Sequence, residues 1–125
     1  MKKRSQIDEQ KLLEMADRFD EDEFGNLTLF FNTTVGVVRL NRCRLDGDTS
    51  VQVTVPTQIE PLVFFELIGC NEMVAVSDER GEFVEFVGHQ SLENYSRGAL
   101  VKRGGFRLRL KPYLSVEPFY SENPS

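Results

Sequence analysis

The chain has 125 residues, 40% of them hydrophobic and 28% charged, and these values are typical of a single globular domain, here 1–125. Its formal net charge of -5 opposes long-range attraction to a polyanion, which counts against general nucleic acid binding. No apolar run is long enough to span a membrane, and the basic start is not followed by the apolar segment of a signal peptide. We therefore expect a cytoplasmic protein in which Cys43 and Cys70 stay reduced.

The first predicted element is an amphipathic helix over residues 6–19. Ser5 is a candidate N-cap, and Asp8 follows it at a position where the helix dipole favours negative charge. Apolar side chains then recur at helical spacing, at Leu12, Met15, Ala16 and Phe19. The acidic run at 17–23 opposes the dipole at the other end, so the helix is expected to stop near Asp20.

Three strands in a meander are predicted after the helix. Hydrophobic and polar residues alternate over 27–32, 35–40 and 51–55, which is the period of a strand with one buried face. Asp46-Gly47 predicts a hairpin turn, because the two central positions of such a turn need positive φ angles. Phe30 lies on the polar side of its strand, which indicates either a sheet covered on both faces or an exposed interface.

The second half of the chain is less regular. The apolar run 62–68 fits a buried strand or a helix, and Pro61 before it with Gly69 after it favours a short second helix. A hairpin is predicted around 78–81 and one helical turn over 91–97.

The last predicted hairpin joins 100–103 to 106–110 through a turn at Gly104-Gly105. Residues 1–5 and 115–125 are expected to be loosely ordered. The predicted fold class is therefore α+β. An N-terminal helix packs on a mainly antiparallel, meander-like sheet of about seven strands that could curl toward a barrel, with a short second helix.

Charge is segregated along the chain. Between Arg97 and Lys111 there are six basic residues and no acidic one, whereas eight of the twenty acids lie in 1–26. A two-residue turn at Gly104-Gly105 would place four of the basic side chains together on the outer face of the hairpin. The predicted binding residues are these four and two from an earlier basic cluster: Lys102, Arg107, Arg109, Lys111, Arg42 and Arg44.

Two interpretations of this basic face remain open. The chain's own acids, such as the 17–23 run, could neutralise it, or it could bind a partner. The favoured function is that of a non-enzymatic protein-binding or assembly module, with an acidic protein segment as partner and a homodimer also plausible. A nucleic-acid-binding β-domain is the alternative, since arginine-rich sheet faces can stack bases.

Catalytic and metal-binding patterns are absent from the sequence. His89 is the one histidine, and neither it nor the two cysteines has the spacing of a nucleophile or a zinc ligand set. No enzyme activity, cofactor or metal is expected.

The predicted order of helix, three strands, helix and hairpin over about residues 6–88 resembles that of the small dimeric chaperones of type III secretion systems. Those proteins end in a helix, whereas a basic hairpin is predicted here. The resemblance would imply an acidic, dimeric chaperone-like protein.

Overall fold

A computed structural model describes residues 3–88 and 104–120, with Tyr120 described by its backbone alone. These residues form one short helix and ten strands. The elements are β1 (Lys3–Gln6), α1 (Glu9–Met15), β2 (Arg18–Glu21), β3 (Asn26–Asn32), β4 (Val37–Cys43), β5 (Thr49–Thr54), β6 (Val63–Leu67), β7 (Cys70–Asp78), β8 (Gly81–Gly88), β9 (Gly104–Lys111) and β10 (Ser115–Tyr120).

The strands make two antiparallel sheets of five. Sheet A has the order β1-β7-β8-β9-β10 and sheet B the order β2-β3-β4-β5-β6. Within the described ranges the two sheets are not closed into a barrel, so the barrel-like part of the prediction is wrong. The architecture is mainly β with one short N-terminal helix, because segments predicted as helix, turn or loose ends join the sheets as strands.

A common hydrophobic core joins the two sheets. Sheet B contributes alternate residues of its strands, as Leu27, Leu29 and Phe31 do from β3. Sheet A contributes Phe86 and Phe106, whose ring centres lie 4.8 Å apart. Burial of each such large side chain contributes roughly 1.5–3 kcal/mol, and this term drives the alternating strands to pack face to face.

The predicted meander is confirmed. β3 pairs with β4 and β4 with β5, and the hairpin turn falls at Asp46-Gly47, where Gly47 has a φ of 81°. The Asp46 carboxylate accepts a hydrogen bond from the backbone N–H of Asp48 at 3.0 Å, and this bond, with a weaker one involving Cys43, lowers the pKa of Asp46. The turn is also tied to sheet A, since Gly47 accepts a hydrogen bond from Cys70 N at 2.9 Å.

The N-terminal helix is shorter than predicted at both ends. It covers Glu9–Met15, because residues 3–6 pair with β7 and residues 18–21 pair with β3. The backbone N–H and C=O groups of these flanking residues form more complete hydrogen bonds with a neighbouring strand than they would at the frayed end of an isolated helix. The helix still packs on the core as predicted, through the buried Leu12.

Asp8, not Ser5, is the N-cap of this helix. Its carboxylate accepts a hydrogen bond from Lys11 N at 3.1 Å, while Ser5 lies in β1 opposite Ala75. We expect Asp8→Ala to lower the free energy of unfolding by about 1 kcal/mol and Ser5→Ala to leave it nearly unchanged. Urea denaturation of the two variants checks this, and equal effects would contradict the position of the cap.

The second predicted helix is wrong. Residues 63–67 form β6, which pairs with β5 from Thr49 to Val53. Phe65 points into the core and stacks on Phe106 with ring centres 6.5 Å apart, while Phe64 points outward. A strand is favoured for two reasons. One face of this apolar run packs against the core, and the edge of β5 supplies backbone hydrogen-bond partners. The element order shared with the secretion chaperones depends on this helix and is therefore not found.

Gly104-Gly105 is not a turn. Both residues lie inside β9, opposite Gly88 and Val87 of β8. A Cβ on Gly105 would lie 1.7 Å from the carbonyl oxygen of Phe86, so glycine is required here for close approach of two backbones. The predicted partner strand at 100–103 and the helical turn at 91–97 lie outside the described residues. Residues 115–120 form β10, which pairs with β9.

Candidate binding surfaces

The outer face of sheet A holds the predicted basic strand. Arg107 and Arg109 do lie on the side of β9 opposite the core residues Phe106 and Leu108, as predicted. Lys111 ends the strand and is exposed, opposite Glu82 of β8. Lys102 lies outside the described residues.

Arg107 is neutralised within the sheet. Its Nε donates to Glu85 Oε2 at 2.9 Å, and its Nη1 lies 3.6 Å from Glu117 Oε1. Arg4 donates from Nη2 to the other oxygen of Glu85, also at 2.9 Å. Glu85 is only 5% exposed, so one buried carboxylate of β8 bridges two arginines, one from β1 and one from β9. Neither Arg4 nor Glu85 is among the residues predicted from sequence.

Arg109 is buried, and the prediction that it is exposed is wrong. It is 5% exposed, donates from Nη1 to the carbonyl oxygen of Arg80 at 2.9 Å and lies 3.8 Å from Asp78 Oδ1. Its guanidinium carbon lies 4.9 Å from the ring centre of Phe83. The physical reason is a second apolar cluster on this outer face, formed by Val74, Val76 and Phe83. Arginines cover that cluster with their stems and planes instead of projecting into solvent.

Arg42 and Arg44 lie at the end of β4 beside α1. Arg44 Nε donates to Glu9 Oε1 at 2.8 Å, and its Nη1 pairs closely with Glu21 of the acidic run. The pKa of Arg44 is raised, mainly by its hydrogen bond to Glu21 and to a smaller extent by its hydrogen bond to Glu9. Arg42 donates to Thr49 Oγ1 at 2.9 Å, and its Nε lies 3.5 Å from Glu9 Oε2. The two arginines fasten the helix to sheet B.

The six predicted residues do not form one basic patch. Those of β9 belong to sheet A and pair with Glu85, Glu117 and Asp78, whereas Arg42 and Arg44 belong to sheet B and its turn and pair with Glu9 and Glu21. For every described member except Lys111, an acid of the same chain lies within ion-pair distance. The described basic residues therefore favour internal neutralisation over an exposed docking face.

The outer face of sheet B carries a different pattern, made of two rows that run across all five strands. One row contains both arginines of this face: Arg18, Phe30, Arg39, Gln52 and Phe64. The neighbouring row is acidic at both ends: Asp20, Thr28, Asn41, Ser50 and Glu66. The face is thus neutral as a whole but has separate positive and negative rows.

Phe30 is the centre of the arginine row. The guanidinium carbon of Arg18 lies 3.8 Å from its ring centre and that of Arg39 lies 6.0 Å away, from the other side of the strand. A ring flanked by two cations is partly shielded from water without being buried. Its position on the polar side of β3 therefore reflects an outer surface. Asp22, beside this face, accepts hydrogen bonds from the side chain and backbone of Asn26, which lower its pKa.

Within the described residues β6 is an edge strand of sheet B, and apolar side chains lie on both of its faces. Phe64 is 56% exposed on the outer side, and the flanking Leu62 and Ile68 are also more than half exposed. On the inner side Val63, Phe65 and Leu67 face the core. The one charged residue of the strand is Glu66.

The other three edge strands are protected. β1 contains Lys3 and Arg4, β2 contains three charged residues, and β10 contains Glu117 with Pro118. Charged residues and proline on an edge prevent pairing with another chain, and β6 lacks this protection apart from Glu66. The sequence signal that could have found this edge is the run 62–68 itself, which is apolar at successive positions instead of every second one.

Among residues 3–88 and 104–120 no group of three or more His, Cys, Asp or Glu side chains could hold a metal ion, and both cysteines are free. No helix in the same ranges has the length and apolarity to cross a membrane. Comparison with known proteins gives no match to a protein-family model, to a curated protein or to a solved structure.

Proposed function

We propose that this chain is a non-enzymatic protein-binding or assembly module of the cytoplasm, and that it binds through β6 and the outer face of sheet B. The observation that carries the proposal is the apolar edge at β6, which in the described part of the chain lacks the protection seen at the other three edges. An exposed apolar edge strand is a template for another polypeptide, so a protein that keeps one is expected to cover it with a partner.

The ion pairs of sheet A favour the apolar edge of sheet B over the basic face of sheet A as the binding surface. An acidic segment that bound Arg107 would compete with Glu85 and Glu117, which already neutralise it. An apolar partner at Phe64 would displace only water. Of the predicted basic residues that the structure describes, only Lys111 is exposed and has no acid within ion-pair distance. It is therefore the one that an acidic partner could contact without displacing an internal ion pair.

Nucleic acid binding has one observation in its favour, the stack of Arg18 and Arg39 on Phe30 across an open sheet face. Arginines and aromatic rings are the groups on which unpaired bases stack. Against this stand Asp20 and Glu66 in the adjacent row, together with the net charge of -5. Acids next to a stacking row repel the phosphate backbone.

Light-scattering mass at low and high salt, with and without a random single-stranded oligonucleotide, tests the proposal. The expected result is a mass that does not change when the oligonucleotide is added at low salt. A complex with the oligonucleotide that forms at low salt, dissociates at high salt and does not form with the Arg18→Ala variant would contradict a protein-binding function. It would favour the nucleic acid alternative.

A further inference from the structure

We infer that the partner covering β6 is a second copy of this chain, whose β6 pairs antiparallel with it about Phe65; this inference rests on the proposed function. The result would be a symmetric dimer in which the two copies of sheet B form one continuous ten-stranded sheet. Such an interface is isologous, meaning that the same strand serves on both sides.

Hydrogen bonding supplies the first reason for pairing. In an antiparallel ladder every second residue turns its N–H and C=O toward the same neighbour. β6 pairs with β5 through one set, so the other set faces outward at the edge of the described sheet. A copy of the same strand offers the complementary set with the same twist and spacing of about 4.8 Å.

The register follows from the symmetry of the strand. β6 spans Val63–Leu67, so pairing about its midpoint, Phe65, uses its whole length. Val63 then lies opposite Leu67 of the second copy, and Phe65 lies opposite its own counterpart, all on the core side. On the outer side Phe64 lies opposite Glu66. Because antiparallel pairing about a residue preserves the two faces, no apolar core residue is turned into solvent.

Charge supports the same register. Pairing about Glu66 would place the two Glu66 carboxylates directly opposite each other, which is destabilising. Pairing about Phe65 instead continues the arginine row of one copy into the acidic row of the other, since Phe64 ends the first row and Glu66 ends the second. Both rows are extended in this way, and like charges are not placed opposite each other. The surface is therefore complementary to itself.

Sedimentation equilibrium of the wild type, Phe64→Glu and Phe24→Glu tests the inference. Phe24 is 70% exposed in the turn between β2 and β3, so its replacement makes the same chemical change away from the edge. We expect a wild-type dimer, a dissociation constant raised about tenfold or more in Phe64→Glu, where the new carboxylate would lie opposite Glu66 of the second copy, and no change in Phe24→Glu. Both variants should keep the wild-type melting temperature as monomers, because neither side chain is buried.

Three results would overturn the inference. A wild-type chain that stays monomeric up to about 1 mM would show that the edge is not covered by a copy of itself, while leaving a different protein as partner. A dimer that Phe64→Glu does not weaken would place the contact elsewhere. Equal weakening in both variants would indicate nonspecific association. Failure of the proposed function is recognised separately, by binding of the oligonucleotide.

Discussion

Gly105→Ala is expected to lower the free energy of unfolding by about 3 kcal/mol or more, the upper part of the range for overpacked interiors. The added Cβ would lie 1.7 Å from Phe86 O and 3.3 Å from Val87 Cα. These are backbone atoms, so no side-chain rotation can relieve the overlap. β8 and β9 would have to separate, with loss of the hydrogen bonds between them and of the Phe86–Phe106 contact.

Gly69→Ala is the control for this variant. Gly69 has a φ of 69° and nothing within 4 Å of its Cβ position, so alanine there adds conformational strain without a collision. That strain is about 1–2 kcal/mol. Urea denaturation of both variants should rank Gly105→Ala as the more destabilised. If it costs no more than Gly69→Ala, β8 and β9 do not approach as closely as described.

Glu85→Ala is expected to cost about 3 kcal/mol, because it removes the carboxylate that two arginines share in a buried position. Arg4 and Arg107 would each lose the carboxylate to which they donate, and Arg107 would be left beside Phe83 with only the more distant Glu117. The cost stays at the lower end for a broken buried ion pair, since both arginine side chains are partly exposed and water can reach them.

Glu117→Ala is the matched control, since it removes another carboxylate that faces Arg107. Glu117 is mostly exposed and its oxygen lies 3.6 Å from Arg107, so its loss is expected to cost less than about 1 kcal/mol. Thermal or urea unfolding measures both variants. A small effect of Glu85→Ala, equal to that of Glu117→Ala, would mean that the outer face of sheet A is solvated, as an exposed basic face would be.

The strands with one buried face were predictable because their pattern is local. β3, β4 and β5 alternate, and Asp46-Gly47 between the last two is a turn that the backbone conformation itself requires. Phe106 and Leu108 were placed on the correct side of β9 for the same reason. The helix was predicted at its centre, through Leu12, but not at its ends.

The remaining errors share one cause, which is that the deciding partner is distant in sequence. Residues 3–6 form a strand because β7 is available as a neighbour. Glycine is required at position 105 because the backbone of Phe86 leaves no space for a Cβ atom. Neither fact leaves a trace in the nearby residues. The burial of Arg109 was missed in the same way, since it packs on Phe83 and on the apolar cluster of β7 and β8 that lies on the outer face of sheet A.

Backbone hydrogen exchange tests most directly whether β6 is the binding edge. It is measured on the wild type at a concentration where it assembles and after dilution to the monomer. The prediction is that alternate amides within 63–67 exchange about tenfold or more slowly in the assembly, while those of the charged edge at 18–21 do not change. Protection confined to other strands, with β6 exchanging equally fast in both samples, would contradict β6 as the binding surface.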